Sequence, residues 1–338
     1  MTLNHSQKKF LKKNLKRFSL AKIAKELNLQ EKELSDYLQK TLPGNRYEKI
    51  TTDKIDQLPN FINFSFTQWF KNHYKSVIFL CFLVFTVYAN SLFGDFLSDD
   101  IAGISQNPNI NHFSYFLLPH FPFFSPLYFL QFLIYVLCGP SPFFYHLVNV
   151  LLHLGIVLTI FILGNFFFSF PANLFIAGLF SVHPLLTESV SWISGLPYPL
   201  SSFFLLLSLL VYMISKNLQA YLFSLVFFLL SLTSDTRMFI FPIVLFLYEI
   251  SFDNFKKHWR KLVPFFSLAG LFALMSLAKI SQVVTTSQAS FYQYQKPGVN
   301  NPLIQIPIAV TSYLQLIFWP ANLSFYHTEL SFTQTEFL

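Results

Sequence analysis

From residue 76 onward, long apolar runs are broken only by short polar clusters. Before residue 76 the order is reversed, and polar positions outnumber apolar ones. Nine apolar segments stand out, at about 76–94, 121–139, 143–165, 171–190, 198–214, 218–233, 236–251, 262–280 and 304–319. Runs of this length without a strict alternation of polar and apolar positions predict helices rather than strands. Several fall short of the ~20 residues that a simple membrane-spanning helix needs. Gly and Pro punctuate the runs at Gly139–Pro142, Pro171, His183–Pro184, Gly195–Pro199 and Pro242, and only 95–120 and 281–303 are long connections. The pattern predicts an all-α polytopic membrane protein built as a helical bundle with about nine apolar segments.

The amino-terminal part has a different period. Leu20, Ile23, Ala24 and Leu27 recur at helical spacing behind Ser19, a residue suited to an N-cap. Asn28 marks a turn, and Leu34, Tyr37 and Leu38 continue an apolar face. The expectation is a small basic helical module over 1–45, helix-turn-helix-like, then a linker over 46–75 and a transmembrane domain over 76–338. A DNA reader needs a third helix and a recognition helix. The would-be reader here, QEKELSDYLQK, carries Glu31, Glu33 and Asp36, so nucleic acid is not the expected partner and a juxtamembrane helical pair is the plainer reading.

Composition sharpens the membrane assignment. Of 338 residues 53% are hydrophobic, 45 are Phe, only 12% are charged, and the mean hydropathy is +0.47. Soluble domains carry about 25% charged residues. Residues 1–75 hold 15 Lys/Arg against 7 Asp/Glu, whereas the remaining chain holds 8 against 9. The basic arm places the amino terminus in the cytoplasm by the positive-inside rule. The expected location is the plasma (inner) membrane, as a multi-pass integral protein with no cleavable signal segment. Cys81 and Cys138 lie in apolar runs and read as small hydrophobes. The basic stretch 253–261 also belongs inside, yet seven apolar segments precede it. One of them must therefore fail to cross; 171–190 and 236–251 are the suspects.

Ionisable side chains within such a domain are costly and mark function by default. Asp99 and Asp100 follow the first apolar run. His146, Asn149 and His153 are three and four residues apart and share one helical face. His183 and Glu188 flank a turn set by Pro184, and Asp235 and Arg237 open a later helix. Structural roles stay open for each: interhelical hydrogen bonding for the imidazoles, mutual pairing for Asp235 and Arg237, loop solvation for the acids. No tight ligand spacing singles out a metal site, and its identity stays unknown.

In order, these blocks resemble the membrane domain of the GT-C superfamily glycosyltransferases related to the transmembrane-and-tetratricopeptide protein O-mannosyltransferases and their bacterial relatives. NSLFGDFLSDDIAGISQNPNI is similar to the family's first outer loop, YHLVNVLLHLG to its His-Leu-x-Asn block, LFSVHPLLTESVSWISG to its His-Pro-x-x-Thr-Glu block, and SYLQLIFWPANLSFYH to its late Trp-Pro helix. The resemblance implies a GT-C-like bundle and a polyprenyl-phosphate-linked sugar donor. It implies a protein or glycan hydroxyl as acceptor on the outer face, and membrane lipid around both. Asp99, Asp100 and Glu188 are then the catalytic candidates, with His146, Asn149, His153, His183 and Arg237 binding substrate. No cofactor is certain, and a divalent cation stays open.

The departures are equally specific. After His120 the family's Arg-Pro-Leu is Ser125-Pro126-Leu127; past Gly195 its Arg and acidic residue are Leu196 and Tyr198; its Ser-Lys-Glu is Ser234-Asp235-Thr236. Basic residues suited to a donor phosphate are thereby lost. A catalytically inactive membrane scaffold or lipid-handling protein is the alternative. A transporter is a further class, but paired broken segments in two halves are not visible.

Overall fold

The computed structural model describes residues 7, 11, 23, 24, 27, 29–41, 64–117, 124–215, 217–252, 255–287, 302–321 and 323. The expected cap at Ser19, the turn at Asn28, most of the linker and of the 281–303 connection, and His120 lie outside the described residues. The chain divides into two compact units, Met1–Asn63 with Gly164–Ser169, and Phe64–Leu163 with Phe170–Leu338.

In the first unit, α1 (Glu31–Thr41) buries Leu34 and Leu38, one helical turn apart, against Leu11, Ile23 and Ala24. Leu27, Leu29 and Tyr37 pack around this small core.

The second unit is built from helices and their connections, with no strand among its described residues. Its main helices are α2 (Phe66–Tyr88), α3 (Pro126–Cys138), α4 (Pro142–Gly164), α5 (Phe170–Ser181), α6 (Pro197–Ile214), α7 (Leu218–Ser234), α8 (Phe241–Ser251), α9 (Phe255–Ser287) and α10 (Pro302–Phe318). Each apolar segment thus carries a helix, and two helices run past their segments. α2 takes in 66–75, expected as linker, and α9 takes in 281–287, expected as connection, because polar residues continue a helix as readily as apolar ones. A helix is not a crossing, however. Among the described residues four stretches are long and apolar enough to span a bilayer: Phe66–Phe93, Pro142–Gly164, Ile193–Ile214 and His258–Ala278. A fifth arises if the bent pair Phe170–Ser181 and Pro184–Ser191 is one broken span. That pair bends by 45° at the His183–Pro184 step. Proline lacks the amide that would continue the helical ladder, which explains the break in 171–190. The other suspect, 236–251, divides into a 3-10 turn at Thr236–Ile240 and the 11-residue α8. At 1.5 Å per residue α8 reaches only about 16 Å, half the hydrocarbon thickness.

Turn chemistry fixes the other boundaries. α3 starts with Pro126 at its first position and ends at Gly139, whose φ of 70° with ψ of −168° is a backbone conformation essentially confined to glycine and breaks the helix there. α6 and α7 form the closest pair, and their contact is a seam of serines. Ser208 Oγ donates to the Ser224 carbonyl and Ser224 Oγ to the Ser208 carbonyl, both at 2.8 Å. One heptad away Ser231 Oγ donates to the Ser201 carbonyl at 2.8 Å. All four serines are fully buried. Small side chains let the backbones approach, and hydroxyls bind across helices where lipid offers no partner. Beside the seam, Tyr212, Phe228, Phe241, Phe265 and Phe272 form an aromatic core joining α6, α7, α8 and α9.

The first long connection is folded onto the bundle. Ile104, Ile110 and Tyr115 bury against Ile134 of α3, Tyr145 of α4 and Ile193. The Tyr115 hydroxyl donates to Gln131 Oε1 at 3.3 Å, and burial pushes its pKa up to about 12.

Candidate functional site

The first connection starts with a tight turn. Asp100 N–H donates to the Leu97 carbonyl at 2.9 Å, and Leu97 N–H returns a bond of 3.0 Å to Asp100 Oδ2. Between them Ser98 has a φ of 51°, a left-handed conformation that costs a non-glycine residue about 1 kcal/mol. Such strain persists where surroundings enforce it, often at functional sites. Directly after Asp100, Ile101–Ser105 forms a single π-turn, with Gln106 N–H reaching the Ile101 carbonyl at 2.7 Å.

Asp100 is 1% exposed. Its Oδ1 accepts from Ser194 N–H at 2.7 Å and from the Ser194 hydroxyl, a short contact. Three donors therefore converge on this carboxylate. Asp99, its neighbour, is exposed, with no hydrogen bond or ion pair among the described residues.

The turn, the start of α4 and the 187–192 segment enclose a cavity of 450 Å³. Asp95, Ser98 and Asp100 line one side, Glu188 and Trp192 the other, and His146 the floor. Glu188 and Asp95 are exposed to the cavity mouth. His146 is 4% exposed, and neither of its ring nitrogens makes a hydrogen bond. The backbones of Gly94 and Ser191 border the ring without reaching bonding geometry. Buried polar atoms are normally satisfied, so an imidazole left open over a cavity has a donor and an acceptor to offer. Three of the sequence blocks thus meet in one place. Among the described residues no group of three His, Cys, Asp or Glu has metal-binding geometry.

The remaining candidates lie elsewhere or serve the scaffold. Asn149 Nδ2 donates to the Trp192 carbonyl at 2.8 Å, tying α4 to the segment that walls the cavity, while its Oδ1 is buried without a partner. His153 Nε2 meets the Ser181 carbonyl at 3.1 Å, and its ring packs between Tyr88 and Phe180. His183 Nδ1 accepts from Leu185 N–H at 3.3 Å, so its Nε2 carries the proton and donates to the Ile317 carbonyl at 3.0 Å. The His-Pro block is thereby fastened to the late helix α10. Arg237 grips Asp235 through Nε and Nη2 and lies 4.6 Å from the centre of the Tyr198 ring. The Asp235 carboxylate drives its pKa further up, and Arg237 is not among the residues lining the cavity. The sequence reading missed Asp95, although it stands in the same acidic run. It also missed Ser194, whose role depends on a contact across 94 positions that no local pattern displays.

Comparison with known proteins gives the same direction. The chain is 35% identical over 155 residues to protein O-mannosyl-transferase TMTC2 of Homo sapiens, an alignment covering 40% of this chain and 18% of that protein. It is 37% identical over 151 residues to the Xenopus laevis form, with the same coverage, and 31% identical over 168 residues to TMTC3 of Mus musculus. This part of the chain is homologous to the TMTC protein O-mannosyl-transferases. The match reaches about a fifth of the length of these TMTC relatives. No family model matches the chain, and no solved structure does.

Proposed function

We propose that the membrane domain transfers a glycosyl group, mannosyl by analogy with the TMTC relatives, from a polyprenyl-phosphate-linked sugar to a hydroxyl of a protein or glycan. The 450 Å³ cavity is the site. The observation that carries this reading is His146: buried, unpartnered at both nitrogens, and set in a cavity rimmed by carboxylates.

In this reading the acceptor hydroxyl attacks the anomeric carbon from the face opposite the phosphate. The carbon–oxygen bond to phosphate breaks and its electron pair leaves with polyprenyl phosphate. The hydroxyl proton passes to a carboxylate, and the products are the glycosylated acceptor and the lipid phosphate. Glu188 is the preferred base, because it lines the cavity, is exposed, and among the described residues its carboxylate accepts no hydrogen bond. Asp99 is exposed beside the cavity without lining it and is second in this role, whereas the lone pairs of Asp100 are committed to Leu97 and Ser194, which suits a positioning role. The ring N–H of His146 donates to a phosphate oxygen as negative charge develops there, the usual service of a preorganised donor. Arg237 is already held by Asp235 and supports this site only through Tyr198 and α6. The bundle keeps the isoprenoid among its exposed apolar helices. The cytoplasmic amino terminus and the plasma-membrane location belong to the same proposal and rest on the basic arm.

Transfer from a polyprenyl-phosphate sugar by the purified, reconstituted protein tests it. Glu188→Gln is expected to lower the rate by ~10²–10⁴, the usual cost of a lost general base, with donor binding retained. Wild-type protein that is folded but inactive with every donor, with and without divalent ions, would favour the scaffold reading. That alternative rests on the missing basic residues around 196 and 235.

A further inference from the structure

The opposite end of α6 carries a second cavity with the reverse charge. It has a volume of 540 Å³ and lies where α6 ends at Ile214, α7 begins and α9 passes. Ser215, Asn217 and Tyr221 line one side, Arg260 and Lys261 the other. Asn217 caps α7 by accepting from Ala220 N–H at 2.9 Å, so the positive end of the 17-residue helix opens on the cavity. Tyr221 holds the opposing wall in place by donating to the Lys261 carbonyl at 2.9 Å. Among the described residues no carboxylate pairs with Arg260 or Lys261. Two uncompensated cations therefore face a helix amino terminus across a preformed pocket.

The surroundings decide what kind of anion fits. Leu218, Leu222, Val263 and Trp259 are exposed on the flanking faces of α7 and α9. Arg260 lies 5.5 Å from the Trp259 ring, an amphipathic pair of the sort found at membrane–water boundaries. The 18 residues of α6 separate this pocket from the acidic cavity by about 27 Å, close to the thickness of a bilayer core. We infer that this pocket binds the headgroup phosphate of an anionic phospholipid in the leaflet opposite the acidic cavity, with the acyl chains lying on Leu218, Leu222 and Val263. A free phosphate would use the cations and leave the apolar rim unused.

Native mass spectrometry of the full chain in detergent, titrated with phosphatidylglycerol or phosphatidylcholine, tests the assignment. Each basic residue near an anionic lipid contributes a factor of about five in affinity. Phosphatidylglycerol is expected to bind in preference to phosphatidylcholine, and the double change Arg260→Gln with Lys261→Gln to weaken it about 25-fold. The charge-conserving pair Arg260→Lys with Lys261→Arg should retain binding, and Lys71→Gln with Lys75→Gln should not alter it. Equal retention of the two lipids by wild type would overturn the inference without any variant. So would unchanged phosphatidylglycerol binding in the folded Gln pair, or full displacement of the lipid by millimolar inorganic phosphate.

Discussion

Asp100 and Ser194 lie 94 residues apart in the chain, yet one carboxylate oxygen of Asp100 accepts both the amide and the hydroxyl of Ser194. The other oxygen closes the turn onto Leu97. A single buried side chain therefore fixes both walls of the acidic cavity. The adjacent acid pair splits into two jobs: Asp100 faces inward and holds structure, while Asp99 faces out and stays available.

The division predicts unequal effects on stability. Asp100→Ala leaves the partly buried Leu97 and Ser194 donors without their acceptor, a loss of about 1 kcal/mol. We expect a lowered unfolding midpoint and faster amide exchange across 95–117. Asp99→Asn should leave both unchanged. Equal stability of Asp100→Ala and wild type would show that the three bonds are not what orders the turn.

What the sequence disclosed follows its local periods. The apolar runs located most helices within a few residues, although α2 starts ten residues ahead of its run and α9 outreaches its run by seven at each end. The spacing of His146, Asn149 and His153 placed all three on one buried face of α4. Crossings were less legible, because α5 and α8 are apolar enough for a membrane but too short, a matter of proline placement and length rather than composition. Arg237 illustrates the limit for single residues. Its charge fits a phosphate ligand and its spacing a pair with Asp235, two readings the sequence leaves open; the structure forms the pair and adds Tyr198 from another helix. Glu249 drew no attention in the sequence, being a lone acid in an apolar run. It is buried and receives the Tyr212 hydroxyl at 2.6 Å and His258 at 3.1 Å, a cluster that only the packing of α6, α8 and α9 assembles.

The serine seam should respond to size more than to hydrogen bonding. Ser208→Ala removes a hydroxyl whose bonds are worth ~0.6 kcal/mol in a membrane bundle. Ser208→Leu drives a large side chain into a site with no exposed surface, at a cost of about 1–3 kcal/mol. Denaturant titration in mixed micelles should rank Leu well below Ala and wild type. A leucine variant as stable as alanine would mean that α6 and α7 are not closely packed there.

The bond from His183 to Ile317 makes the His-Pro turn a fastener for α10. His183→Ala frees a carbonyl at the end of that helix, and we expect faster amide exchange over 313–319 with little change in α6 or α7. His183→Gln, whose amide offers a comparable donor, should recover part of the protection. Unaltered exchange in the alanine variant would assign the order of α10 to its apolar contacts alone.

Gly94 offers a way to disturb His146 without touching it chemically. A methyl group at Gly94 would sit 3.2 Å from His146 Nε2 and 3.3 Å from the Ser91 carbonyl, tighter than ordinary van der Waals contact. Ser91 is anchored, since its hydroxyl donates to the Tyr88 carbonyl at 2.8 Å and its own carbonyl accepts from Gly94 N–H at 3.2 Å. The imidazole has no hydrogen bond to resist displacement. The ring is therefore the group that gives way, by a few tenths of an ångström into the cavity. Gly94 has φ –73°, which alanine adopts freely, so the backbone is not strained by the change. If His146 supplies the phosphate contact, Gly94→Ala should leave the unfolding midpoint within ~0.5 kcal/mol of wild type. Transfer should nevertheless fall several-fold, within the limit of about 10²-fold that a full 1 Å misplacement of a positioned group can cost. His146→Ala should abolish the difference between glycine and alanine at 94. Transfer by Gly94→Ala at the wild-type rate would remove His146 from the phosphate-binding role and leave the acidic rim as the site's sole chemical asset.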